Sequence, residues 1–257
     1  MVASSASLEL QQAYVELCNL TLCYLKSMAL QCAVELGIPN AIHATAVLFK
    51  LEHFITPVSP YRRTMIIQRR PYLPRFMRYL AMTGIIAHDT SAIGEDVYRL
   101  TPLSHLLVDD VLVNGCTSLA SFVLTHTWKP TVTAAMHLSD WFKGDDGPAA
   151  LVPAEMPFKT AYGMDMWELM RGHPKLNDAF NAGMGSNTKL VLDFVMTKCG
   201  EVFDGISSLI DVGGGNGSAA RAIAGAFPHV KCSVLDLPNV ISDIEPGEAR
   251  LSTLQVI

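Results

Sequence analysis

The feature that most restricts this chain is a glycine run set between an apolar strand and a helix: Ser207-Ser208-Leu209-Ile210-Asp211-Val212-Gly213-Gly214-Gly215-Asn216-Gly217-Ser218. Ala219–Phe227 continues it with helical composition. Lys231-Cys232-Ser233-Val234-Leu235-Asp236 follows as a second strand that ends in an acid. Strand, glycine turn, helix and strand in this order form a β–α–β unit. The glycines at 213, 215 and 217 let the backbone approach a ligand and take positive φ. Asp236 at the end of the second strand can accept two hydrogen bonds from a ribose diol.

Two ligands use such a unit. Gly215-x-Gly217-x-x-Ala220 fits the dinucleotide pattern, with Asp236 near the expected distance. Asp211, just before the glycines, is awkward for a pyrophosphate, which prefers bare amides and a helix N-terminus. A carboxylate there suits a cation. S-adenosyl-L-methionine carries an ammonium and a sulfonium, and its ribose would lie by Asp236. It is the expected cofactor, on Asp211, Gly213, Gly215, Gly217 and Asp236; a nicotinamide dinucleotide is the alternative.

Composition narrows the remaining classes. With 257 residues, 50% of them hydrophobic and 17% charged, the chain has ample apolar area to fold, so disorder is excluded. Its length suits one large or two modest domains. A net charge of −5 argues against a protein that coats nucleic acid. Met1–Leu10 lacks the basic and apolar parts of a secretory signal. The longest charge-free run, Val111–Trp128, carries Asn114, Gly115, Thr117 and His126, which lipid would penalise, so no membrane partner is expected. Cys18, Cys23, Cys32, Cys116, Cys199 and Cys232 contain no C-x-x-C pair. They read as reduced thiols of a cytoplasmic protein, without a disulfide framework or a metal site.

Periodicity places two consecutive amphipathic helices over about Leu8–Gly37, on Leu10, Tyr14, Leu17, Cys18 and Thr21, then Leu22, Leu25, Ala29 and Leu30. Gly37-Ile38-Pro39 ends them. Ala44–Tyr72 is irregular, with Pro57, Pro60 and Pro71. Pro74 opens a short helix, Arg75–Thr83, closed by Gly84, and Ile85–Ala87 with Val97–Leu100 makes a hairpin around a polar tip. Helices and a hairpin after a basic segment are the pattern of a winged helix. Arg62, Arg63, Arg69, Arg70, Arg75 and Arg78 cluster there. A DNA-binding regulator is therefore an alternative, set below a solvated basic face because no base-reading residues accompany the arginines. Residues 145 to 158 form a Gly/Pro-rich connection. A long helix then runs from Pro174 to about Lys198, with Leu176, Phe180 and Met184 on one face, a stripe that by itself reads as core.

The run LIDVGGGNGSAARAIAGAFPHVKCSVLDLPNVI resembles the cofactor motif of plant small-molecule O-methyltransferases, of the caffeic acid and flavonoid (acetylserotonin-like) type. FKTAYGMDMWELMRGHPKLNDAFNAGMGSNT resembles the helix that family places across its pocket, and LKSMALQCAVELGIPNAIH resembles its dimerisation domain. The resemblance implies a mainly α, winged-helix-like dimerisation domain over residues 1–110 and connecting helices over 111–200 that line an acceptor pocket. From 201 to 257 it implies the start of an incomplete α/β Rossmann-like methyltransferase domain. It further implies a homodimer, with a small phenolic or flavonoid-like hydroxyl compound as acceptor. Gly213 and Asp236 would touch the cofactor, with Leu237 beside its ribose or adenine and Thr188 near its carboxylate. Leu176, Phe180 and Met184 would line the acceptor pocket rather than the core, and His126 would stand against the acceptor ring.

The family's chemistry is an in-line attack of a phenolic oxygen on the sulfonium methyl, with a histidine as general base and no metal. That base lies in a His-Asp-Trp segment after the cofactor motif, whereas all eight histidines here precede Ser233. No catalytic residue is assigned, and the chain is expected to be weakly active or inactive. The alternative is a non-catalytic dimerisation partner of full-length relatives. Leu251–Ile257 stands where the family's adenine-gripping segment should begin, and Ala44–Tyr72 departs from its helix–turn–helix. Altered splicing or an imperfect gene model would account for both departures. The stretch from Asp211 to Ile257 has room for one β–α–β unit of roughly 30 residues, so a sheet of two strands is expected.

Overall fold

The computed structural model describes residues 5–45, 49–50, 67–109, 118–143, 156–236, 240 and 251–255. The chain forms two compact units, Met1–Val108 and Asp109–Ile257.

In the first unit, α1 is one unbroken helix, Ser5–Glu35, where periodicity suggested two. Its 31 residues contain neither glycine nor proline, so nothing interrupts the hydrogen-bond ladder. Gly37 then takes φ 67°, a left-handed conformation, and Pro39 sits in the first turn of α2 (Ile38–Ala44). The short 3-10 turn Ile67–Tyr72 leads into α3 (Leu73–Met82), which also has proline in its first turn. Strands β1 (Ile86–Thr90) and β2 (Asp96–Leu100) pair antiparallel, with Ile86 opposite Leu100 and Thr90 opposite Asp96. Thr101 then caps α4 (Pro102–His105). Its Oγ1 accepts the Ser104 N–H and donates to the Ile85 carbonyl, tying the cap to the hairpin.

The core of this unit gathers Ala29 and Ala33 of α1, Ile38 and Ile42 of α2, Leu73, Met77 and Leu80 of α3, and Ile86 and Tyr98 of the hairpin. Only the C-terminal third of α1 takes part. Leu10, Tyr14, Leu17, Leu20 and Tyr24 remain exposed. By length and composition alone, Ser7–Glu35 is a helix that could cross a membrane, although a weak example with a mean hydropathy of 1.2. Of the arginine cluster, Arg62 and Arg63 lie outside the described residues. Arg69 sits in the 3-10 turn, and Arg75 and Arg78 are exposed on α3. Burial raises the Tyr98 phenol above its usual pKa, assisted by Asp96 and opposed by Arg78.

In the second unit, α5 (Ala120–His126), α6 (Lys129–Met136), α7 (Leu138–Lys143), α8 (Pro157–Tyr162) and α9 (Met166–Arg171) are short helices preceding α10 (Pro174–Lys198). Next comes the β–α–β unit expected from the glycine run: β3 (Ser208–Val212), α11 (Ser218–Ala226) and β4 (Lys231–Asp236), with β3 and β4 parallel. The sheet has a third strand, which corrects the two-strand expectation. β5 (Leu251–Gln255) pairs parallel with β4, Cys232 opposite Leu251 and Asp236 opposite Gln255, and the order is β3-β4-β5. Ala220, Ile223 and Ala224 of α11 pack on Val230, Cys232 and Val234. Leu192, Val195 and Met196 from the C-terminal half of α10 cover the same cluster. That contact anchors one end of α10 beside the glycine turn.

Candidate functional site

The glycine turn is built around two carboxylates. Gly213 (φ 72°) donates its N–H to the Leu235 carbonyl at 2.8 Å, which fastens the turn to the end of β4. Gly215 (φ 56°) donates its N–H to Oδ2 of Asp236, also at 2.8 Å. Gly217 (φ 77°) is the N-cap of α11, and its N–H reaches the Gly214 carbonyl at 2.9 Å. L side chains rarely adopt such φ values, so the three left-handed positions explain three of the four glycines.

Gly214 has a different reason. A Cβ there would come within 2.7 Å of both Cγ and Oδ2 of Asp211. The turn folds directly over that carboxylate and leaves no room for a methyl group. Oδ2 of Asp211 is buried with no hydrogen-bond partner among the described residues. Burial raises the Asp211 pKa, and the nearby Asp236 charge raises it further. A buried carboxylate oxygen without a donor is costly, and a cation placed against it would remove that cost.

A cavity of about 800 Å³ opens beside this turn. On the sheet side it is lined by Asp211, Gly213, Gly214, Gly215, Asn216, Ser218, Ala219 and Asp236. The opposite wall comes from α9 and one face of α10. The α10 lining residues Pro174, Asn177, Phe180, Asn181, Met184, Gly185 and Thr188 are linked by three- and four-residue steps, the repeat of a single helical face. The other face of α10 is made of small residues. Gly183 and Ser186 are buried there, and Thr125 of α5 donates through Oγ1 to the carbonyls of Ser121 (2.8 Å) and Ala179 (3.3 Å).

Against this geometry the sequence-derived site residues divide clearly. Asp211, Gly213, Gly215, Asp236, Thr188, Phe180 and Met184 all line the cavity. Gly217 is buried under the turn instead. Leu176 is not among the lining residues: at 100° per residue it lies roughly 120° around α10 from the centre of the lining face. His126, exposed in the last turn of α5, bonds through Nδ1 to the Phe122 carbonyl at 2.8 Å and also lies off the cavity. Leu237 is outside the described residues.

Gly214, Asn177, Asn181, Trp167 and Arg171 also line the cavity and lie outside the apolar stripe of Leu176, Phe180 and Met184. Trp167 and Arg171 stand four residues apart on α9, and that spacing was the available signal for them. The Trp167 ring meets Phe180 edge to face, with centroids 5.9 Å apart. Among the described residues no cluster of three or more histidine, cysteine or acidic side chains could hold a metal ion.

Comparison with known proteins agrees with both units. Residues 18–110 match the O-methyltransferase dimerisation domain, and residues 136–253 match the O-methyltransferase domain. A flavonoid O-methyltransferase-like protein of Oryza sativa subsp. japonica is 38% identical over 250 residues, which span 95% of this chain and 65% of the relative. Trans-resveratrol di-O-methyltransferase of Vitis vinifera is 36% identical over 244 residues, 93% of this chain and 63% of that enzyme. The crystal structure of human N-acetylserotonin methyltransferase in complex with SAM superposes with a TM-score of 0.69 at 17% identity. It shares the fold over 96% of this chain and 66% of its own length. The chain thus spans somewhat under two thirds of the length of these curated relatives. With a helical dimerisation unit, a parallel sheet and a glycine turn over two carboxylates, the chain belongs to the plant O-methyltransferase family.

Proposed function

We propose that this chain binds S-adenosyl-L-methionine and serves methyl transfer to the hydroxyl of a small phenolic or flavonoid-like compound. The unpartnered Oδ2 of Asp211 carries this reading. A pyrophosphate would add charge repulsion to an already costly carboxylate, whereas an ammonium would supply the missing donor. The residues present fit the cofactor: Asp211 toward its amino group, Asp236 toward its ribose hydroxyls, and Thr188 toward its carboxylate. Gly213, Gly214 and Gly215 offer close backbone approach. When bound, the cofactor supplies an electrophilic methyl on a sulfonium. This chain's part is to hold it, to exclude water with Met184 and Phe180, and to orient the acceptor along α10. Related proteins whose names specify a flavonoid or resveratrol as acceptor support an aromatic hydroxyl here.

No histidine lines the cavity among the described residues. We infer that this chain by itself transfers methyl slowly. The exposed α1 stripe, together with the dimerisation-domain match, supports a homodimer, and the same stripe would serve pairing with a relative.

Calorimetry with S-adenosylhomocysteine tests the cofactor reading. Micromolar binding that far exceeds binding of NADH is expected. Tighter binding of NADH would overturn the reading.

A further inference from the structure

The cavity has one feature that holding the cofactor does not use. Its carboxylates, Asp211 and Asp236, lie at the glycine turn, beside the end of α10 that is anchored on the sheet cluster. Its cation, Arg171, lies before the other end of α10. From Pro174 to Thr188 the helix advances about 20 Å, and Arg171 precedes the Pro174 end of that span. Arg171 is the only cationic lining residue among those described. It carries no hydrogen bond or ion pair to any described residue. Its neighbours in the wall are Trp167, half exposed at 51%, Met170 and Phe180, with the amides of Asn177 and Asn181 alongside. This end of the cavity offers flat apolar surface, amide groups and an unused guanidinium.

We propose that Trp167 and Arg171 form the recognition wall for an acceptor that carries an anionic substituent, such as a carboxylate, remote from the hydroxyl that takes the methyl. The inference rests on the cofactor reading above. Trp167 and Phe180, in edge-to-face contact with each other, present one aromatic corner against which an aryl ring packs. Arg171 supplies a planar fork that matches a carboxylate with two parallel N–H donors. A neutral acceptor would leave that fork to water. Arg171 also stands in the last turn of α9, where a cation offsets the helix carbonyls. That role affects the fold and is indifferent to the charge on an acceptor, so the two roles separate by measurement.

The test uses the full 257-residue chain saturated with S-adenosylhomocysteine. Calorimetric affinity for 4-hydroxycinnamate is compared with that for its neutral primary amide. The acid should bind about twofold to fivefold tighter, the range for a partly solvated ion pair, and added salt should erode that ratio. Arg171→Gln should bring the ratio close to one, Arg171→Lys should restore part of it, and the thermal midpoint should stay within a few degrees in both. A ratio near one in the unmodified chain, a ratio unchanged in R171Q, or binding of neither probe would each overturn the proposal. S-adenosylhomocysteine binding without an acid preference sinks this inference alone. No measurable S-adenosylhomocysteine binding, with the acid preference present in the ligand-free chain, sinks the cofactor reading instead.

Discussion

Asp211 illustrates how a functional residue is held against its own preference. Its Oδ2 is buried without a donor, and Asp236 nearby makes the ionised form costlier still. An acid whose pKa rises on folding favours the folded chain while protonated. That contribution is whole below the ordinary carboxylate range and is lost as pH climbs through the raised value. Asp211→Asn should therefore melt at a higher temperature than the unsubstituted chain near neutral pH, with the difference shrinking as pH falls toward about 4. The same substitution should weaken S-adenosylhomocysteine by about tenfold or more, the range for a lost charge-assisted hydrogen bond. A D211N chain that gains stability and keeps its affinity would remove Asp211 from the site. Binding to the unsubstituted chain should strengthen with pH across the same window, because the ligand's ammonium pairs only with the ionised carboxylate. Gly214→Ala addresses the same contact from the other side. Its methyl would have to displace the Asp211 carboxylate, and calorimetry should show a loss of affinity with the sheet retained.

Among the elements, α10 serves two contacts at once, with polar and flexible side chains toward the cavity and small ones toward α5. A Cβ on Gly183 would lie 2.7 Å from Thr125 Oγ1 and 2.9 Å from the Ser121 carbonyl, whereas a Cβ on Gly185 meets nothing within 4 Å. Gly183→Ala should accordingly cost about 1–3 kcal/mol by overpacking. Gly185→Ala should be neutral or slightly stabilising, by up to about 1 kcal/mol of helix propensity. Chemical denaturation of the pair checks this, and equal effects would remove the close α5–α10 approach from the account. The long span of α10 was legible from Pro174 and the continuous run that follows. Its lining face was legible only in part. Leu176, Phe180 and Met184 follow a four-residue step that drifts around the helix, and the lining face includes Asn177 and Asn181, which an apolar pattern passes over.

At the scale of the whole molecule, two surfaces stand open. Leu10, Tyr14, Leu17 and Tyr24 repeat at steps of four, three and seven along α1, near the spacing of a helix–helix seam, and all are exposed. Leu17→Glu with Leu20→Glu should shift the chain toward monomer in sedimentation analysis without melting the first unit, whose core begins at Ala29. A dimer that survives both substitutions would place the interface elsewhere. The second surface is β3, which among the described residues is an edge of a parallel sheet, with Ile210 56% and Val212 74% exposed. Parallel strands are ordinarily covered on both faces, and an exposed apolar edge promotes association. Val212→Lys should lower aggregation, read by light scattering, with the β3–β4 pairing unaffected.

The features legible in the amino-acid order were local. Glycine and proline placed the turn, the α1–α2 break and the start of α10, because these residues act through their own backbone torsions. The strand–glycine–helix–strand order specified the parallel pair, and the acid before the glycines indicated a cationic ligand. Three features arise from packing between distant segments. The third strand could not be read from Leu251–Gln255 because its pairing lies with β4, many residues away. Gly214 is required by the Asp211 side chain folded beneath it rather than by its own φ. Trp167 and Arg171 became site residues because α9 is set against α10, which turns an exposed aromatic and an exposed cation into one wall of a cavity. Periodicity reports which face of an element is apolar, but which faces meet depends on packing between residues distant in the chain.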